Sequence, residues 1–196
     1  MSFLIMYYEY QQKYLNKMDQ KITNDDFVAG KPRAKREKSL RRYYRMLILK
    51  LANILPISKF TRAKLYRHAG VSIEHGVVRV GKVEIDTIHP EDVVIGNGSV
   101  IANGVHLITH YMDVRNMNEF AYFRGKITIG RYCYIGTNVI FTKAVTIGDG
   151  AIIGAGSIVN KDIPPYEVWA GVPAKLICKR YNDPSEIPSP DHIKLK

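Results

Sequence analysis

A six-residue repeat in the C-terminal half of the chain restricts the possible folds more than any other feature. A large apolar residue recurs at every sixth position, at Ile129, Ile135, Phe141, Ile147, Ile153 and Val159. Glycine directly follows four of these six residues. Neither the 3.6-residue period of a helix nor the two-residue alternation of a strand produces this spacing. A period of six is typical of parallel β-helices, in which three repeats, about 18 residues, complete one coil.

The period has a direct physical meaning. Each repeat supplies one short strand and one turn, and its apolar residue points into a narrow axial core. Glycine allows the chain to turn where a side chain would collide with the next coil. Stacked coils pair their backbones at the usual strand spacing of about 4.8 Å. Because one repeat buries little surface alone, only a stack is stable. The sequence therefore predicts a mainly β chain folded as a parallel β-helix.

The same spacing predicts coils upstream, beginning near residue 71. Six apolar residues fit it, with His89 in the one remaining position: Val71, Val77, Val83, Ile95, Ile101 and Leu107. Leu107 and Ile129 are 22 residues apart, which is not a multiple of six. We therefore expect a loop excursion at about 111–126, beginning directly after His110. Long loops without a pattern of their own are usually functional or disordered.

The N-terminal third differs from this repeat region in charge. Residues 31–70 contain 13 Lys and Arg but a single acid, although the net charge of the whole chain is +11. Apolar residues at helical spacing predict a helix from Ser39 that ends before Pro56. Ser58 is a suitable N-cap for a second helix through His68, with Gly70 as its stop. The predicted organisation is a helical basic extension (1–70), a β-helix domain (71–180) and an extended tail (181–196).

The basic segment at 31–70 has two main interpretations. It is either an amphipathic arm packed on the β-helix or a neighbouring subunit, or a basic helix lying on anionic lipid. Nucleic acid is not expected, because no recognition motif accompanies the charges. The chain start lacks the pattern of a signal peptide. Cys133 lies at an inward repeat position, where a reduced, buried thiol is expected. These features predict a cytoplasmic location, at the inner face of the membrane if the lipid interpretation holds.

The repeats at 95–110 and 147–177 carry a specific resemblance, which extends over about 71–180. They include the stretches Ile153-Gly154-Ala155-Gly156-Ser157 and Ala170-Gly171-Val172-Pro173-Ala174-Lys175. The chain resembles the hexapeptide-repeat, left-handed β-helix acyltransferases, in the branch of the maltose, galactoside and xenobiotic O-acetyltransferases. The resemblance implies acetyl-CoA-dependent transfer of an acetyl group to a hydroxyl of a sugar or polysaccharide precursor. It also implies a homotrimer with a site at each interface and no metal.

The resemblance further implies that His110, in the motif Thr109-His110-Tyr111-Met112-Asp113, is the general base. Histidine suits this role at neutral pH, and His106 is the reserve candidate. A backbone carbonyl, Asp86 or Glu84 could orient the ring, and the sequence does not choose among them. Asp86, Tyr111 and Asp113 are the candidate substrate contacts, although Tyr111 and Asp113 are equally well read as solvated loop residues.

The expected acetyl-CoA site is carried over from the same resemblance. Its residues are Gly136, Thr137, Gly154, Ala155, Asn160, Lys161 and Lys175. Thr137 and Ala155 are 18 residues apart, so their backbones should stack one coil apart. The glycines also have a purely structural interpretation as corner residues, and the two lysines one as solvated charges.

Three alternatives remain open at the level of sequence. The first is N-acetylation of an amino sugar nucleotide, which needs the same base. The second is a non-catalytic β-helix scaffold. The third is a metal site like that of a carbonic anhydrase, for which His89, His106 and His110 are close enough in sequence.

Overall fold

The computed structural model describes residues 27–28, 40–76, 78–112 and 122–181. Two helices are present in these ranges, α1 (Leu40–Ile54) and α2 (Lys59–His68), with a short 3-10 turn at Pro90–Asp92. The strands are β1 (Phe27–Val28), β2 (Ser72–Ile73), β3 (Arg79–Val80), β4 (Glu84–Ile85), β5 (Val93–Ile95), β6 (Val100–Ile101), β7 (His106–Leu107), β8 (His110–Met112), β9 (Tyr122–Arg124), β10 (Ile127–Ile129), β11 (Tyr134–Ile135), β12 (Ile140–Phe141), β13 (Val145–Ile147), β14 (Ile152–Ile153), β15 (Ile158–Val159), β16 (Glu167–Ala170) and β17 (Lys175–Lys179).

Most of these strands form three parallel sheets, which the chain visits in turn. Sheet 1 has the order β2-β5-β10-β13, sheet 2 the order β3-β6-β11-β14-β16-β17, and sheet 3 the order β4-β7-β12-β15. All neighbours within them are parallel except the terminal pair β16–β17. Three consecutive strands, one in each sheet, make one coil. The predicted parallel β-helix is confirmed.

The predicted repeat residues form the axial core. Ile129 pairs with Ile95 on one side and Ile147 on the other, so equivalent residues stack from coil to coil. All three have no exposed surface. Burying one such side chain stabilises the fold by about 1.5–3 kcal/mol. Cys133 is a buried free thiol, as predicted, and burial raises its pKa to about 11.

The first coil departs from the predicted spacing. The residue that stacks on Ile95 is Ile73, and Ile85 stacks on Leu107. The expected residues Val71 and Val83 are buried, but each lies two positions earlier, and Val77 is outside the described residues.

The 3-10 turn at Pro90–Asp92 explains this error. Ile73 and Ile95 are 22 residues apart, against 18 for Ile129 and Ile147, because the turn lengthens the connection between the first two coils. The expected inward position of His89 is therefore wrong. His89 precedes the turn, and its Nδ1 lies 3.4 Å from Glu91 Oε1.

The excursion after the second coil is present, but its ends are ordered strands. Sixteen extra residues separate the second coil from the third, since Ile95 and Ile129 are 34 apart. Strands β8 and β9 form an antiparallel pair, and β1 adds a third strand beside β9. The expectation of a patternless loop is therefore wrong for these ends, while residues 113–121 lie outside the described residues. The predicted extended tail lies outside them from residue 182 onward.

The two predicted helices are confirmed. The hydroxyl oxygen of Ser58 accepts a hydrogen bond from the backbone N–H of Thr61 at 3.1 Å, so Ser58 caps α2 as expected. Gly70 adopts a φ of 108° just after this helix ends. Helix α2 packs on β2 and β3, and the inner side of α1 joins the same core through Ile48 and Leu49. In the described part of the chain, no helix has the length and apolar character that crossing a membrane requires.

Candidate functional site

His110 occupies the point where the chain leaves the β-helix. It is the first residue of β8, three positions after the last core residue of the second coil, Leu107. Pairing with Arg124 of β9 holds its backbone in place. The side chain is 35% exposed, and its Nδ1 lies 2.5 Å from Asp86 Oδ2. The structure therefore supplies a fixed, solvent-accessible imidazole at one corner of the β-helix.

Asp86 holds this imidazole from the coil below. It directly follows β4, and its backbone N–H donates to the carbonyl of Leu107 at 3.3 Å. Its Oδ2 accepts hydrogen bonds from the Thr109 hydroxyl and from His110 Nδ1. Its Oδ1 accepts from the backbone N–H of Ile88 at 2.8 Å. The Asp86 side chain is only 2% exposed, so its position is set by the fold.

The surroundings of Asp86 favour its ionised form. Burial acts to raise the pKa of this carboxyl group, but hydrogen bonds from Thr109, His110 and the Ile88 backbone outweigh burial. The net effect is a pKa below the ordinary value. An ionised carboxylate can only accept hydrogen bonds. His110 must therefore carry a proton on Nδ1, and this tautomer makes Nε2 the basic nitrogen.

The structure distinguishes among three further residues that the sequence offered for the site. Asp86 was expected either to orient the His110 ring or to contact substrate, and its buried position and its hydrogen bond to His110 Nδ1 make it the orienting group. Glu84, the other candidate for that task, is exposed on β4. His106 is half-buried on β7, beside Glu84 and Ile140 on the outer surface of sheet 3.

The remaining substrate candidates lie on the excursion. The Tyr111 ring stacks on Phe123 across the β8–β9 pair, with 5.2 Å between ring centroids. Its side chain remains partly exposed beside His110. Asp113 lies outside the described residues. The pairing of β1 with this hairpin had no detectable signal in the sequence, because two-residue strands are too short to show alternation.

Four expected acetyl-CoA residues share one corner, between sheets 2 and 3. Strand pairing places Gly136-Thr137 directly beside Gly154-Ala155, and the Gly156 N–H donates to the Thr137 carbonyl at 2.8 Å. The stacking predicted from the 18-residue spacing is confirmed. Thr137 and Ala155 are exposed, so this corner has a small-residue surface.

The two glycines of this corner are explained by packing between coils. A Cβ on Gly136 would lie 2.6 Å from the backbone nitrogen of Ala155, and one on Gly154 would lie 2.8 Å from the Cβ of Ala170. Their N–H groups donate to carbonyls of the next coil, at Ile153 and Trp169. Any backbone donor for a ligand at this corner must therefore come from their neighbours.

The other three expected residues do not all lie at this corner. Lys175 does, because it pairs with Ala170 in the terminal hairpin. Asn160 and Lys161 instead follow β15 at the corner between sheets 3 and 1, two coils above the His110 corner. The Lys161 ammonium group lies 4.6 Å from the centroid of the Trp169 ring. The expected acetyl-CoA set is thus divided between two corners of the β-helix.

Side chains that could bind a metal ion are not clustered in the part of the chain that the structure describes. No set of three or more His, Cys, Asp or Glu side chains there is arranged to hold a metal ion.

Sequence comparison identifies the repeat. The bacterial transferase hexapeptide family (six repeats) matches residues 126–161, which includes coils three and four. This chain carries the hexapeptide-repeat fold. The galactoside O-acetyltransferase of Escherichia coli K12 is 38% identical over 125 residues, which are 61% of this chain and 59% of that protein. A relative from Staphylococcus aureus strain COL is 41% identical over 92 residues, 46% of each chain. The chain thus spans about half the length of the curated relatives it matches.

Solved structures of hexapeptide-repeat proteins share the β-helix architecture over about three quarters of this chain. A galactoside acetyltransferase in complex with coenzyme A has a TM-score of 0.59 at 27% identity, covering 72% of this chain and 81% of its own. The maltose O-acetyltransferase of Clostridium difficile 630 has a TM-score of 0.58 at 26% identity, covering 72% and 87%. These neighbours are left-handed β-helices, and the hexapeptide-repeat domain described above has the same fold.

Proposed function

We propose that this protein is an acetyl-CoA-dependent O-acetyltransferase that acts on a hydroxyl group of a sugar or a polysaccharide precursor. The observation that carries the proposal is the bond between His110 Nδ1 and Asp86 Oδ2. It presents an oriented, accessible imidazole at the corner where the resemblance expects a general base. The similarity to galactoside and maltose O-acetyltransferases supports both the reaction and the sugar acceptor.

The proposed reaction needs one base and donors for an oxyanion. The acceptor hydroxyl oxygen attacks the thioester carbonyl while Nε2 of His110 takes the hydroxyl proton. The carbonyl oxygen becomes an oxyanion, which backbone N–H groups stabilise. When the tetrahedral intermediate collapses, the carbon–sulfur bond breaks and the imidazolium returns its proton to the thiolate of CoA. Asp86 stabilises the imidazolium formed between these two proton transfers.

We assign the donor molecule to the corner formed by Thr137, Ala155 and Lys175. The small side chains at the first two positions allow a thin pantetheine arm to approach the backbone. A Cβ on the neighbouring Gly156 would meet no atom within 4 Å, so the surface is open there. Lys175 is exposed at the end of the same corner and is suited to the phosphates of CoA. The backbone amides of Thr137 or Ala155 are the proposed oxyanion donors.

The positions of the two corners favour an oligomer. Strand β12 separates the Thr137 corner from the corner that holds His110. Thr137 lies six positions before Lys143, which stacks above the His110 corner, and this separation corresponds to about 20 Å of extended chain. A site that combines both corners at short range therefore needs two copies of the chain. We propose a homotrimer with one site at each interface.

The reaction is tested by thiol release from acetyl-CoA with a panel of neutral sugars and amino sugars. His110→Ala should lower turnover on a neutral sugar by about 10²- to 10⁴-fold, the usual contribution of a general base. His106→Ala is the matched control, because it removes a nearby histidine from the outer surface of sheet 3. Equal turnover by wild type and His110→Ala would overturn the assignment. Turnover on amino sugars alone would indicate that the reaction is N-acetylation and not O-acetylation.

The shared site is tested by complementation. His110→Ala lacks the base, and Ala155→Trp fills the donor corner, so each variant alone should be inactive. A co-expressed mixture should regain activity, because about a quarter of its interfaces combine an intact histidine with an intact corner. A mixture as inactive as its parents, or a monomer by light scattering at micromolar concentration, would contradict the shared site.

A further inference from the structure

Helix α1 is apolar on both its inner and its outer side. Its inner side packs Ile48, Leu49 and Ala52 into the core of the β-helix. Its outer side and the residue that follows the helix expose seven large hydrophobic residues, here named the outer stripe: Leu40 (87% exposed), Tyr43 (62%), Tyr44 (54%), Leu47 (56%), Leu51 (39%), Ile54 (72%) and Leu55 (39%). These are half of the fourteen exposed large hydrophobic residues in the described part of the chain.

The outer stripe is continuous. The spacing from Leu40 through Tyr44, Leu47 and Leu51 to Ile54 alternates between four and three residues, which places them along one face of the helix. An apolar face of this kind on a folded chain marks a contact surface. Because the inner side of α1 is fixed to the core, most of the stripe faces away from the molecule, and only its Ile54 end also borders a groove beside Val83 and Ile85.

The positive charge around the stripe indicates which kind of partner it binds. From Leu40 to Gly70 the chain has eight Lys or Arg residues and no Asp or Glu. Three of these cations are exposed lysines: Lys50 on α1, and Lys59 and Lys64 on α2. If the stripe packed on the stripe of a second copy, the three exposed lysines of each copy would lie near those of the other, and this repulsion disfavours self-association. An anionic partner with an apolar interior satisfies both features.

We propose that α1 docks this protein on an anionic lipid surface. The helix lies in the plane of the interface, since only its outer side is available, and its 15 residues span about 22 Å. Leucine and isoleucine side chains enter the acyl boundary, and the two tyrosines sit at the level of the headgroups, where aromatic residues are preferred. The lysines contact anionic headgroups. This inference does not depend on the proposed enzymatic activity.

The test is sedimentation of the full chain with vesicles of one part phosphatidylglycerol and three parts phosphatidylcholine, at low and raised salt. Wild type should bind these vesicles, bind pure phosphatidylcholine far less, and lose affinity as salt rises. Lys50→Gln/Lys59→Gln/Lys64→Gln should weaken binding by up to about a hundredfold, from about 1 kcal/mol per lysine near the surface. A loss smaller than twofold would overturn the electrostatic part of the proposal.

The apolar contribution needs a matched pair of variants. Leu40→Ser/Leu47→Ser/Ile54→Ser removes three stripe residues and should abolish sedimentation. Val172→Ser/Leu176→Ser/Ile177→Ser removes three other exposed apolar residues near the opposite end of the stack and should bind like wild type. Since all six side chains are exposed, both variants should fold, which circular dichroism checks. Loss of binding in both, or no binding by wild type, overturns the proposal. A smaller oligomer for the stripe variant without any vesicle binding would reassign the stripe to contacts between copies.

Discussion

Replacing Asp86 by asparagine isolates the contribution of its charge to the site. All the hydrogen-bonding groups recorded around this side chain are donors: the Thr109 hydroxyl and His110 Nδ1 on one oxygen, and the backbone N–H groups of Ile88 and His89 on the other. An asparagine has one acceptor and one NH₂ group. In either orientation its NH₂ therefore opposes at least one donor.

The two orientations of the new amide damage the site in different ways. If the NH₂ faces Ile88, the backbone N–H groups of Ile88 and His89 lose their acceptor. If it faces His110, the imidazole must accept on Nδ1, which moves the proton to Nε2 and abolishes the basic nitrogen. In both, the imidazolium loses its carboxylate. A hydrogen bond to a charged group contributes about 1.5–3 kcal/mol, so turnover should fall by about 10- to 150-fold.

The assay is acetyl-CoA thiol release under saturating acceptor, with kcat and KM measured separately. A positioning role lowers kcat and leaves KM for acetyl-CoA nearly unchanged. Asp149→Asn is the matched control, because that carboxylate accepts from the Arg131 backbone at a different corner. If Asp86→Asn folds normally and keeps more than half of the wild-type kcat, Asp86 does not position the base.

The same variant makes a prediction about stability. The pKa of Asp86 is lowered in the folded protein, so its carboxylate stabilises the fold above the unfolded value of about 4. That contribution disappears as the pH falls through the folded-state pKa. The difference in free energy of unfolding between wild type and Asp86→Asn, measured by urea titration, should therefore be largest at neutral pH and should shrink below about pH 4. A constant difference would contradict the assigned ionisation.

Two further predictions concern packing in the β-helix. Gly136→Ala should destabilise the fold by about 1–3 kcal/mol or more, because its Cβ would press on the Ala155 backbone. Gly156→Ala should destabilise it by only about 1–2 kcal/mol, because the space around Gly156 is open and only the strain of a positive φ remains. Urea unfolding measures both, and a larger cost at Gly156 would refute the reasoning. A thiol reagent at pH 8 should modify Cys178 but not Cys133 in the folded chain, since Cys133 is buried with a pKa of about 11, and both after denaturation. Rapid labelling of two thiols in the native protein would contradict this.

The fold was predictable wherever one interaction dominates. Between Ile129 and Val159 every sixth side chain must enter the axial core. The sequence therefore has an apolar residue at six equally spaced positions, and these fix the register of the strands. In the first coil the same demand exists, but Pro90 and its turn add residues between strands. A rule based on spacing does not detect this insertion, because Val71 and Val83 are apolar and fit the six-residue period although other residues stack on the second coil. The helices were predictable for a local reason, because Ser58 and Pro56 act within one turn of their own positions.

The candidate site was less predictable because its parts come together only through stacking. His110 was found from its motif, whereas its partner Asp86 is 24 residues away in sequence and becomes adjacent only once the first coil has its true register. The predicted register placed His89 inward, and it left Asp86 both among the candidates for orienting His110 and among the substrate contacts. The acetyl-CoA residues show the same limit of sequence reasoning. An 18-residue spacing predicts that Thr137 lies beside Ala155, but it does not predict which corner of the β-helix lies next to His110 in an assembled site. If the site is assembled between copies of the chain, the sequence of one copy does not contain the information that decides which corner lies next to His110. The complementation experiment tests that arrangement directly.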